Sequence, residues 1–204
     1  MKKTILLIFF LPMAVGAGEA EQYVKGIFDE AERLREALAR EYTDENKKKI
    51  AKKVVAMAFE AIDVNEVGRL ALGRFYYKMS ARQRRTFFTV FRGLLTDRVI
   101  EGIIPSYQLV RDRIPYTLLA ERKVADKIFK KKAEVVTFSF PYERMTYQVD
   151  VYMYRKKKKL VIYDIHLDGS SYLLDFKNQF ARIIRTEGFS LLIKRLRQRD
   201  VSVE

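Results

Sequence analysis

The chain has 204 residues, 49% of them hydrophobic, with 40 Lys and Arg against 26 Asp and Glu, a formal charge of +14 and one histidine. That length is ample for one domain with a sizeable core. The absence of cysteine excludes disulfide staples, thiol nucleophiles and thiolate zinc sites, and the basic balance favours anionic partners while saying little about fold.

Met1-Lys2-Lys3 is a short positive region, Ile5 to Val15 is an apolar run broken only by Pro12, and Gly16, Ala17 and Gly18 follow. Such a run is too short to cross a hydrocarbon core of ~30 Å as a helix. Residues 1–17 are therefore predicted to be a cleaved secretory signal peptide, leaving one domain over residues 18–204. Export argues against nucleic acid as a partner and for lipid headgroups.

A helical region is predicted over residues 20–104. Val24, Ile27, Phe28, Ala31, Leu34 and Leu38 recur at three- and four-residue steps between Glu21 and Tyr42, the pattern of an amphipathic helix. Thr43 and Asp44 supply cap chemistry for a second helix with Ile50, Val54, Met57 and Ala61 on one face and a lysine run, Lys47 to Lys53, at its start. Asp63 caps a short helix through Val67 to Leu72, and Ser80 a longer one that Pro105 is expected to stop near Ile103. The long helix carries Phe87, Phe88, Val90, Phe91, Leu94, Leu95 and Val99, apolar over more than one stripe, so it needs cover on two sides.

After Pro115 the period changes from helical to alternating, over residues 115–168. Tyr116 to Arg122 is a predicted strand. Val136, Phe138 and Phe140 alternate with Thr137 and Ser139; Val149, Val151 and Met153 alternate with Asp150 and Tyr152. Leu160 to Leu167 is the last strand, with Val161, Tyr163, Ile165 and Leu167 on one face, and Arg155 to Lys159 is the hairpin tip before it. Helix returns over residues 171–198, interrupted at Gly188. This order describes an α+β fold: a four-stranded twisted antiparallel sheet packed by helices on one face, with Gln148, Asp150 and the tyrosines turned to water on the other.

Asp164, His166, Ser170 and Ser171 crowd one segment and invite comparison with a hydrolase triad. There is no Gly-x-Ser-x-Gly elbow, and a serine after Gly169 more simply caps the following helix, with His166 on the solvent side of its strand. No metal-ligand spacing and no phosphate loop is present, so no enzyme, no cofactor and no metal is expected. The surplus of large apolar side chains fits either an ordinary core or a hollow one that houses an apolar ligand.

Gly68-Arg69-Leu70-Ala71-Leu72-Gly73-Arg74-Phe75-Tyr76, then Ser80-Ala81-Arg82-Gln83-Arg84 and the Phe-rich helix, resemble the MlaC family of periplasmic phospholipid-binding proteins. A second block resembles it in the same order: Val161 to Ile165, Asp168 to Ser171, Phe180, Ile184, Gly188, Phe189, Leu192 and Ile193. The resemblance runs from Glu21 to Arg199; it departs in lacking the family's tryptophan near Leu160, in the lysine-rich hairpin tip and in Ser170. It implies a nuclear-transport-factor-2-like (NTF2-like) sheet with a helical annex and a hydrophobic lipid pocket between sheet and helices. It also implies a carrier that moves phospholipid between an outer-membrane lipoprotein complex and an inner-membrane MCE/ABC transporter, maintaining outer-membrane lipid asymmetry.

On that resemblance the expected pocket lining is Phe75, Phe87, Phe91, Leu94, Leu95, Phe138, Val149, Val151, Met153 and Tyr163, with Arg69 and Arg74 at the headgroup or docking surface. Lys127, Lys130, Lys131, Lys132 and Lys156 to Lys159 would serve transient contact with an anionic membrane. The competing reading is a secreted basic binding module with a solid core that docks on anionic polymers or acidic proteins.

Overall fold

Four of the helices begin where the sequence supplies a side-chain cap, at Thr43, Asp63, Ser80 and Ser171. The computed structural model describes residues 18–109, 115–142 and 144–200, and the predicted signal peptide, residues 1–17, lies outside them. Its first half is helical: α1 (Glu19–Arg40), α2 (Asp44–Ala61), α3 (Val64–Leu72), α4 (Arg74–Lys78) and α5 (Ala81–Leu109). Thr43 Oγ1 accepts from the Asn46 amide and Asp63 Oδ1 from the Glu66 amide, each at 3.2 Å. Ser80 and Gln83 form a reciprocal capping box: the Gln83 amide donates to Ser80 Oγ at 3.2 Å and the Ser80 amide to Gln83 Oε1 at 2.8 Å.

α3 ends at Leu72 as expected, while an additional short helix and the end of α5 differ from expectation. The backbone turns at Gly73, where φ is +53°, and one further helical turn, α4, follows before α5. α5 then passes through Pro105 to Leu109 instead of stopping near Ile103. A proline inside a helix costs one backbone hydrogen bond and a local clash, a loss that a helix of 29 residues absorbs. Among the described residues no helix is long and apolar enough to cross a membrane.

The strands β1 (Thr117–Asp126), β2 (Lys131–Tyr142), β3 (Met145–Lys156), β4 (Lys159–Leu167) and β5 (Ser170–Ser171) form one antiparallel sheet in sequence order. The four expected strands are present, and the two-residue β5 is a fifth. The β3–β4 turn places Lys157 and Lys158 at φ +47° and +70°, the left-handed region that a two-residue hairpin of right-handed twist needs at both positions. α6 (Tyr172–Glu187) and α7 (Phe189–Gln198) complete the chain, separated by Gly188 at φ +86°.

Helices cover both faces of the sheet, which corrects the expectation of one face in water. The first half of α1 lies on one face, where Ala20 and Val24 pack with Val136, Phe138, Val151, Met153 and Ile162, and Phe28 meets the edge of Phe138 at 4.7 Å. On the other face Ala133, Val135 and Tyr163, with Tyr152 and Tyr154 beside them, meet the core of α3, α5, α6 and α7. Asp150, expected in water, is buried: Thr137 Oγ1 donates to its Oδ1 at 2.5 Å and Arg122 Nη2 to its Oδ2 at 3.2 Å. The alternating tyrosines thus face helices, with polar ends that find partners.

The helical core is built on close approach. Phe87, Phe91 and Phe180 are fully buried, with Phe87 stacked on Phe91 at 5.2 Å and Phe180 edge-on to both. α3 comes onto these rings through Gly68, where an added Cβ would lie 2.5 Å from a Phe88 ring carbon and 3.1 Å from one of Phe87. An exposed helical Gly→Ala change stabilises by about 1 kcal/mol. Here the sign reverses: Gly68→Ala is expected to destabilise by about 1–3 kcal/mol through overpacking, read as a lower urea midpoint at unchanged slope.

Candidate functional site

The site is organised around an irregularity in β4. Ile162 stands opposite Met153 and Asp164 opposite Tyr152, so Tyr163 is an extra residue without a partner on β3, a β-bulge. A regular strand would put Tyr163 and Asp164 on opposite faces. The bulge puts both on the side of α3 and α6, and Ile165 returns to the α1 side with Val149 and Val151. The expected grouping of Val161, Tyr163, Ile165 and Leu167 on one face is corrected accordingly.

Asp164, 4% exposed, collects four hydrogen-bonding groups. Its Oδ1 accepts from the Ile165 amide at 2.8 Å and the Leu173 amide at 2.9 Å; its Oδ2 accepts from Ser171 Oγ at 2.6 Å and lies 3.0 Å from His166 Nε2. Ser171 Oγ also accepts from the Leu174 amide at 2.9 Å, capping α6 as the sequence suggested. His166 lies against this core face, its ring stacked on Tyr152 at 4.1 Å, and so is not the solvent-side residue expected. Serine and histidine both address the carboxylate and not each other. In a nucleophile relay the histidine must sit between the other two, so this cluster is a helix-start clamp.

Above the clamp lies an apolar pocket of about 530 Å³, within the ~300–1,000 Å³ range of small-molecule sites. α5 gives it Leu95 and Val99, β4 gives Ile162, Tyr163 and Ile165, and α6 gives Tyr172, Leu173 and Phe176. Ile62 and Val67 complete the wall at the α2–α3 corner, which is pinned to β4 by a parallel bridge between Ile62 and Ile162. Two lining residues are charged, Arg98 and Asp164. The Tyr163 hydroxyl points away, donating to Asp126 Oδ2 at 2.7 Å, and burial together with that carboxylate pushes its phenol well above the usual range.

Of the residues expected to line a pocket, Leu95 and Tyr163 do so. Phe87, Phe91 and Leu94 are fully buried behind the wall, where Phe91 meets Phe176 edge-on at 5.8 Å. Phe138, Val149, Val151 and Met153 lie across the sheet, under α1. Phe75, Arg69 and Arg74 border a separate cleft against the β1–β2 turn and α6. The lining from α6 went unforeseen, although Leu173, Phe176 and Phe180 mark one face of that helix at spacings of three and four. Ile62, Val67, Val99 and Ile165 carried no signal beyond being apolar.

Arg69 is committed within the protein. Its Nε and Nη2 donate to the two Glu66 oxygens at 2.7 Å each, and Lys131 Nζ joins them at 2.6 Å. Asp63 is the adjoining hub, its Oδ2 accepting from Tyr154 at 2.5 Å and Lys156 at 2.6 Å. Burial works against ionisation of Asp63, and the bonds from Lys156 and Tyr154 outweigh it, holding the carboxyl below its ordinary range. These pairs tie α3 to the β2 and β3 strands. Among the described residues no group of three or more potential metal ligands occurs.

Asp164→Asn would turn an amide NH₂ toward donors; the expected cost is about 3 kcal/mol, against about 1 kcal/mol or less for His166→Ala, both read by urea denaturation. The bond from Arg69 lowers the Glu66 carboxyl from 4.5 to about 2 against the effect of burial, with Lys131 assisting. As pH falls the unfolded chain takes this proton first, so the stability present above pH 4.5 is lost toward pH 2. The difference in unfolding midpoint between the parent protein and Glu66→Gln is therefore expected to be full at neutral pH and to shrink across that window.

Three comparisons bear on this arrangement. A structure of a phospholipid-binding protein from Ralstonia solanacearum, solved in complex with a phospholipid, superposes with a TM-score of 0.63 at 19% identity, over 89% of this chain and 94% of that one. No curated protein matches in sequence. At that identity the superposition speaks to the fold, which is shared from helical half to sheet to closing helices. The model of the MlaC protein family matches residues 29–198, from within α1 to the end of α7, and the chain belongs to that family.

Proposed function

We propose that this protein is a periplasmic phospholipid carrier, which shelters acyl chain in the pocket between α5, β4 and α6 and exchanges it between the outer membrane and an inner-membrane MCE/ABC transporter. The observation that carries the reading is the apolar pocket of about 530 Å³. That space falls in the size range of sites that take apolar ligands. Membership of the MlaC family supports the cargo class.

Transfer energetics explain why such a pocket is needed. Each methylene is worth ~0.8 kcal/mol, so two long chains represent on the order of 20 kcal/mol between water and an apolar environment. A carrier walled by Leu95, Val99, Tyr163, Leu173 and Phe176 matches the shelter that the lipid leaves. Release into water is prohibitively slow, and delivery requires a partner that loosens the wall. Leu95 and Tyr163 would touch the chain, Phe87, Phe91 and Leu94 would back the wall, and Arg98 supplies the wall's cation for the headgroup phosphate.

Native mass spectrometry of the protein purified without detergent, with lipid identification after denaturation, is expected to find a stoichiometric phospholipid. Leu95→Trp is expected to fill the pocket and leave the protein folded but stripped of that lipid. A parent protein that stays at its bare mass after incubation with phospholipid vesicles would leave the basic module with a solid core as the better account.

A further inference from the structure

A strongly cationic concavity lies apart from the apolar pocket. A cleft of about 770 Å³ opens between the α3–α4 corner, the β1–β2 turn and α6, lined by six cationic side chains, Arg69, Arg74, Lys130, Lys131, Lys177 and Arg185. None of its lining residues is a carboxylate. Two of these cations are used inside the protein, Arg69 and Lys131 on Glu66. Arg74, Lys130 and Arg185 are exposed, and among the described residues no carboxylate pairs with Arg74, Lys130, Lys177 or Arg185. Like charges gather this way only at a cost, which an external anion relieves.

Two large apolar side chains stand out of the same rim. Ile128 is 54% exposed and Tyr77 67% exposed, whereas the neighbouring Phe129 is buried. The turn that carries Ile128 is rigidly built. Asp126 Oδ1 accepts from the Ile128 amide at 2.9 Å and the Phe129 amide at 3.0 Å, and its Oδ2 receives the Tyr163 hydroxyl. Phe129 packs edge-on to Tyr163 at 6.3 Å, and Lys130 adopts φ +54° to close the turn. The anchoring of Asp126 and Phe129 leaves Ile128 no route inward, so the fold presents it outward by construction.

We infer that this cleft and its Ile128–Tyr77 rim are a docking surface for an anionic bilayer. A shallow field of cations around single protruding apolar and aromatic side chains suits a fluid interface, where a tyrosine sits at headgroup level and an aliphatic tip enters the boundary. An acidic protein would instead need a complementary fixed shape for both protrusions. The inference does not depend on cargo in the lipid pocket, because none of the rim residues lines that pocket.

Cosedimentation of the purified protein with phosphatidylcholine vesicles, with and without phosphatidylglycerol, at low and high salt, tests it. Binding is expected on the phosphatidylglycerol vesicles at low salt, lost at high salt as screening shortens to a few ångströms. Each Lys or Arg near an anionic surface contributes about fivefold in affinity. The pair Lys130→Gln and Lys177→Gln is thus expected to weaken binding about 25-fold, and Ile128→Ser to weaken it further at unchanged salt dependence. The pair Lys48→Gln and Lys52→Gln on α2, of equal net charge, serves as the control and is expected to change little. Equal losses for both pairs, equal binding to neutral vesicles, or no binding to phosphatidylglycerol vesicles would each overturn the proposal, the last in favour of an acidic protein as the occupant. Lipid identification by mass spectrometry on the same variants keeps this result separate from the carrier reading, since Lys130→Gln with Lys177→Gln is expected to retain its cargo.

Discussion

A carboxyl group almost entirely removed from water must have its oxygens met by hydrogen-bond partners, and Asp164 meets four hydrogen-bonding groups. Much else follows from satisfying it. The bulge at Tyr163 turns the carboxylate toward α6, whose first amides and capping serine then fix where that helix starts. The start of α6 places Tyr172, Leu173 and Phe176 opposite α5, and the space left between them is the pocket. The same bulge directs Tyr163 to Asp126 and so braces the β1–β2 turn.

The two faces of the sheet have been put to different uses. Under α1 the packing is dense, with Phe28, Phe138 and Tyr116 in mutual contact, and Val136 and Met153 shut away from solvent. On the other face, aromatic rings from α5 and α6 form a solid floor, and the hollow lies above it, where Leu95 and Val99 stand off from β4.

Much of this was legible in the chain. Caps at Thr43, Asp63, Ser80 and Ser171, the break at Gly188 and the change of period after Pro115 are local signals, and local hydrogen bonds realise the four caps. The lining of the pocket was less legible, because burial is a property of both partners in a contact. Phe91 and Leu95 share a helix and a composition, yet one is floor and the other wall. The bulge was hidden for a different reason: Val161, Tyr163, Ile165 and Leu167 read as an unbroken alternation, and only pairing with β3 reveals the extra residue. Arg69 shows a third limit, since its partner Glu66 is near in sequence while Lys131 arrives from across the fold.

β1 is the open edge of the sheet among the described residues, whereas β4 at the other end is covered by β5 and by the bridge to Ile62. An open edge invites a strand from another molecule. Here it carries Glu121, Arg122, Lys123 and Asp126, and a register shift between Leu118 and Ala120 breaks its ladder with β2. An incoming strand would have to bury those charges and follow an irregular backbone. A protein with so many apolar side chains and a pocket open to solvent is thereby kept from polymerising through its sheet.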